Sequence, residues 1–89
     1  MNVARRIELK LLSDLMATEV EVGDESALHV GHAGALEGGG HFRITVVSPL
    51  FSGKTPLQRH RLVYDTLMTE EMSGSIHALS MTTLAPDEN

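Results

Sequence analysis

Residues Phe42 to Leu84 constrain the fold more than any other part of the chain, because they read as strand, helix and strand in turn. Phe42 to Ser48 carries Ile44, Thr45, Val46 and Val47 in succession, a β-branched density suited to a central strand, and Pro49 ends it. Ser52, Gly53 and Lys54 make a turn, after which Thr55 is placed as an N-cap with Pro56 at the first helical position. The helix predicted from there runs from about Pro56 to Met72, with Leu57, Val63, Leu67 and Met68 inward and Gly74 as its terminating glycine. Ile76 to Leu84 is again β-prone. A strand that returns through a helix to the same sheet pairs in parallel, by a right-handed crossover.

Upstream, Val3, Ile7, Leu11, Leu12, Leu15 and Met16 recur mostly at steps of three and four, which predicts an amphipathic helix over residues 2–16. From Thr18 to Val22 the pattern alternates, with Val20 and Val22 opposite Glu19 and Glu21, as in a half-buried strand. Asp24, Glu25 and Ser26 break it, and a loop rich in glycine and histidine follows through Gly40. Pro86 to Asn89 is expected to fray. The order is α-β-β-α-β, with the first two strands antiparallel. This predicts an α+β fold, a single domain over 1–89, with a three-stranded mixed sheet and helices packed on one face.

The core of such a domain has to be aliphatic, since aromatics make up 3% of the chain, and methionine fills its gaps. No apolar run approaches the roughly 20 residues needed to cross a bilayer, so no membrane association is expected. Residues 1–10 lack a signal-peptide h-region, and Glu8 and Asp14 tell against a transit peptide. The expected location is the cytoplasm. There is no cysteine, which excludes disulfides and thiolate chemistry from this chain's own side chains. Soft-metal chemistry would fall to the five histidines. The net charge of −5 has the wrong sign for a polyanion partner, so nucleic-acid binding is not expected.

Several spaced motifs carry a family resemblance. Phe51-Ser52-Gly53, Arg59-His60-Arg61 and His77-Ala78-Leu79 stand in the order of the F-x-G turn, R-H-R helix and H-A-L strand of the BolA family. The likeness extends upstream through Asp24-Glu25-Ser26, His29, His41-Phe42 and Val46-Val47-Ser48, so it covers nearly the whole chain. The resemblance implies a class II KH-like fold. It also implies a [2Fe–2S] cluster shared with a monothiol glutaredoxin and its glutathione, with His77 as one ligand. A second ligand would come from the loop between the first two strands. Counting from Asp24-Glu25-Ser26 selects His29, and counting back from His41-Phe42 selects His32. With no cysteine, the chain fits the histidine subtype of that family.

Each candidate has a plainer alternative. His77 opens a strand, and its ring stands clear of the core if Ile76 and Ala78 face inward; alone it would be an ordinary surface histidine. His29 and His32 are otherwise incidental residues of a glycine-rich loop. Lys54, Arg59, His60 and Arg61 form the most basic spot on an acidic chain and suit a carboxylate-bearing partner. The alternative for His60 is a partly buried helix histidine bonded to a neighbouring element. Gly53-Lys54-Thr55 resembles the end of a phosphate-binding loop, but Ser48 stands where its first glycine belongs. Gly31-His32-Ala33-Gly34 spells G-x-x-G without a flanking basic residue, between strands rather than helices.

No nucleophile–base pair or spaced acid–base set is visible, so the chain reads as no enzyme. The expected role is a glutaredoxin partner in cluster assembly, delivery or iron sensing. The rival is a nucleic-acid-binding transcriptional regulator. Weak homodimerisation is left open.

Overall fold

A computed structural model of the protein describes residues 2–25 and 40–88. Helix α1 spans Val3–Asp14, strands β1 and β2 span Glu19–Asp24 and Gly40–Val47, helix α2 spans Pro56–Leu67, and strand β3 spans Ile76–Leu84. The sheet order is β1-β2-β3, with β1 antiparallel and β3 parallel to the central strand. The β-branched run therefore occupies the middle of the sheet, as its density predicts. Its alternate residues Phe42, Ile44 and Val46 are buried with Ile7, Leu11 and Leu15 of the first helix region and Val63 and Leu67 of α2. Both helices thus pack on one sheet face.

Helix α1 starts where Asn2 accepts a hydrogen bond from the Arg5 N–H at 2.8 Å. It ends two residues before the predicted limit, because Met16 adopts a left-handed backbone conformation, φ 53°. Leu12 and Met16 are exposed rather than inward. The 3₁₀ turn Pro49–Phe51 follows β2, and Phe51 is driven fully into the core. Gly53 then supplies the positive φ of 77° that lets the chain reverse towards α2.

Thr55 caps α2 in a capping box with Gln58, and Pro56 opens the helix as expected. The inward line, however, is Arg59, Val63 and Leu67, while Leu57 is exposed. The helix stops at Leu67 rather than Met72. Continued helix would carry Met72 about 140° around the axis from Leu67. Instead Met68 leaves helical geometry, and turns bring Met72 into the core at 3% exposure. Gly74 consequently sits in the 3₁₀ turn Ser73–Ser75, not at a helix end.

The predicted frayed tail is also ordered through Glu88. Pro86–Glu88 forms a 3₁₀ turn held by Arg59, for reasons that belong to the site below.

Candidate metal centre

Strands β2 and β3 begin side by side because they are parallel, and this sets the geometry of the histidines. Gly40 pairs with Ile76, but the next pair is His41 with Ala78, so His77 is an extra residue on β3. Such a bulge re-aims the side chain that it leaves unpaired in the ladder. Regular alternation would put His77 on the face of Leu79 and Met81, which pack against the core. The bulge frees it, and His77 is exposed. The expected exposure holds, yet its reason differs: Leu79, not Ala78, faces inward.

His41 follows the same logic from the neighbouring strand. Phe42 is buried at 3% exposure, so His41 belongs to the opposite face, where its ring lies 5.1 Å from that of His77 at 43°. Its backbone is held as well, since the Glu25 N–H donates to the His41 carbonyl at 2.7 Å. The Glu25 carboxylate in turn meets Arg43 at 3.3 Å. A shallow, open depression runs along this edge past Glu25, His41, Ala78 and Ser80.

In the sequence His41 stands out only as a landmark beside Phe42. The signal that finds it is the parallel register: two strands that start together bring their first histidines together. His29 and His32, and the Gly31–Gly34 G-x-x-G, lie outside the described residues. Among the described residues, no group of three imidazole or carboxylate side chains is placed to hold a metal. The His41–His77 pair thus places two imidazoles side by side, His77 exposed and His41 half-buried.

The second predicted patch separates into parts. Arg59 is only 8% exposed and spends its guanidinium internally. Nε donates to the Lys54 carbonyl at 2.9 Å and Nη1 to the Thr83 carbonyl at 3.3 Å. Nη1 and Nη2 grip the Glu88 carboxylate at 2.5 and 2.9 Å, the bidentate geometry that suits arginine. Those bonds, together with the Ala85 N–H, hold the Glu88 carboxyl down at about 2, and the Glu88 contact raises Arg59. Arg59 therefore anchors the chain after β3, leaving Lys54, His60 and Arg61 exposed. His60 is not the partly buried residue that its apolar neighbours suggested. Its ring stacks on Tyr64 one turn along, at 6.1 Å and 14°.

The fold and this site define a small α-β-β-α-β domain that presents paired imidazoles at one end of a mixed sheet. A family model described as BolA-like protein matches residues 11–88. The chain is 41% identical over 93% of its length to SufE-like protein 1, chloroplastic/mitochondrial, of Arabidopsis thaliana, covering 24% of that protein. It is also 41% identical over 93% of its length to the DNA-binding transcriptional regulator BolA of Escherichia coli, covering 75% of it. The solved BolA domain of SufE1 from Arabidopsis thaliana superposes with a TM-score of 0.82 at 40% identity, covering 100% of this chain and 99% of that one. The chain belongs to the BolA-like family. It spans less than two thirds of the length of the first curated relatives it matches. No helix among the described residues is long and apolar enough to cross a membrane.

Proposed function

We propose that the chain acts as a non-enzymatic partner of a monothiol glutaredoxin, co-ligating a [2Fe–2S] cluster for assembly, delivery or iron sensing. The observation that carries this reading is the His41–His77 pair, half-buried and exposed respectively, with rings 5.1 Å apart at the heads of two parallel strands. Neutral imidazole is a good iron ligand, and its use in place of thiolate raises the potential of such a cluster. This chain has no cysteine, so its contribution would be nitrogen, with thiolates from the glutaredoxin and glutathione. His77 is one donor. The second is His41, His29 or His32, of which His41 has its ring beside His77.

The test is the visible absorption and circular dichroism of the chain co-purified with a monothiol glutaredoxin and glutathione. A spectrum distinct from that of the glutaredoxin alone, and lost in His77→Ala, supports the reading. An unchanged spectrum removes it.

The regulator reading keeps one argument, the likeness to the DNA-binding transcriptional regulator BolA of Escherichia coli. Against it stand the net charge of −5 and the internal use of Arg59. A gel shift that survives moderate salt would favour it.

A further inference from the structure

The outer face of α2 carries an exposed stripe that neither the core nor the histidine end explains. Leu57, His60, Arg61 and Tyr64 fall within about 100° of helical arc, centred about 110° around the axis from Val63. Leu57 is 59% exposed and Tyr64 46%, two of the largest apolar exposures among the described residues. Isolated apolar residues on a surface need no explanation, but two aligned along one helix face do. They sit seven residues apart, about 10.5 Å along the axis, the spacing of two anchors on an opposing helix.

The charges around the stripe are equally specific. Four cations are committed to carboxylates: Arg5 to Glu8, Lys10 to Asp14, Arg43 to Glu25 and Arg59 to Glu88. Outside α1, the cations left without an ion pair among the described residues are Lys54 and Arg61. Both border the shallow groove beside the stripe. On a chain of net charge −5, this is the place where an acidic partner meets attraction rather than repulsion.

The start of the stripe is also remote from the histidines. Arg59 bridges the Lys54 and Thr83 carbonyls, so the start of α2 is level with Thr83. His77 lies six residues back along β3, roughly 20 Å away. Tyr64 lies about 10 Å further along α2, towards the histidine end, but His41 and the His77 ring beside it sit on the sheet face opposite the helices, so a helix seated on the stripe leaves the imidazoles free.

We infer that the outer face of α2 docks an acidic amphipathic helix of a partner protein, with apolar side chains on Leu57 and Tyr64 and carboxylates on Lys54 and Arg61. This surface is independent of the proposed cluster site. Nucleic acid fits it less well, because two free cations neutralise few phosphates.

The probe is a labelled peptide of about five helical turns, with leucines on one face and glutamates beside them. A counterpart carries lysine for glutamate, and a single-stranded oligonucleotide serves as the nucleic-acid arm. At about 0.1 M salt, where exposed charges still act over about 10 Å, the acidic peptide binds and the lysine peptide does not. Amide shifts move along residues 54–64. Arg61→Glu, an exposed change that leaves the fold intact, weakens binding about tenfold or more, and Leu57→Ala weakens it in the same direction. His77→Ala leaves the affinity unchanged, which separates this surface from the cluster reading. The inference is overturned if the acidic peptide fails to bind, if the lysine peptide binds as well, or if shifts fall at the histidine end. An oligonucleotide held more tightly than the peptide, in an Arg61-dependent way, overturns it too.

Discussion

Arg59 and Glu88 form a bidentate ion pair across 29 residues of sequence, joining the start of α2 to the turn that follows β3. The carboxylate is bound in the folded state and free in the unfolded chain. Its folded pKa, about 2, lies below the ordinary value of 4.5. A depressed carboxyl stabilises the fold above its unfolded pKa, and that contribution disappears as pH falls through the folded one.

The pair therefore predicts a pH signature. Glu88→Gln is less stable than the parent near neutral pH, and the difference closes as pH falls from about 4.5 to about 2. Urea midpoints of both proteins over this range check it. A constant gap down to pH 2 would show that the carboxylate charge is not what holds the turn.

Ser48 joins two other elements. Its hydroxyl donates to the Leu15 carbonyl at 2.5 Å and accepts the Leu50 N–H at 3.1 Å, fully buried. Ser48→Ala leaves the carbonyl after α1 and the start of the next turn unsatisfied. The expected loss is about 1–3 kcal/mol, read from the urea midpoint at constant slope. A loss near zero would mean that water takes over both bonds.

Met16 is the one non-glycine residue with positive φ among the described residues, and it is 62% exposed. A left-handed conformation costs an ordinary residue about 1–2 kcal/mol, while glycine loses more chain entropy on folding, about 0.5–1 kcal/mol. Met16→Gly is therefore expected to gain up to about 1 kcal/mol, or several degrees in Tm. Met16→Ala, with the strain kept, gains nothing. Equal Tm values for the two variants would remove strain as the cause.

Under the proposed cluster role, the histidines would separate ligation from stability. His77 is exposed on a bulge, so His77→Ala changes stability by less than about 1 kcal/mol while abolishing the mixed-ligand spectrum. His41→Ala is expected to alter that spectrum too, because its ring is the neighbour of His77. If His41→Ala keeps the parent spectrum and His29→Ala or His32→Ala changes it, the second donor belongs to the loop. His60 is exposed and stacks only on Tyr64, so its replacement leaves both stability and spectrum nearly unchanged.

Local pattern sufficed wherever a residue's role depends on its near neighbours in the chain. The alternation of Val20 and Val22, the density of Ile44 to Val47 and the Thr55-Pro56 start of α2 each specify an element through adjacent residues. Their order then implied the parallel pairing of β2 with β3. The strand from Ile76 to Leu84 was legible to the residue.

What the tertiary structure decided were choices between groups far apart in sequence. Leu57 and Arg59 both carry long side chains near one helix start, and hydrophobicity alone selects leucine for the interior. Arg59 goes inward instead, because the Lys54 and Thr83 carbonyls and the Glu88 carboxylate converge there to satisfy its guanidinium. The same convergence orders a tail that composition marks as loose. His41 and His77 stand 36 positions apart and become neighbours only through a sheet register with one extra residue. Hydrogen bonds and registers of this kind close over long separations, and no local window of sequence contains both partners.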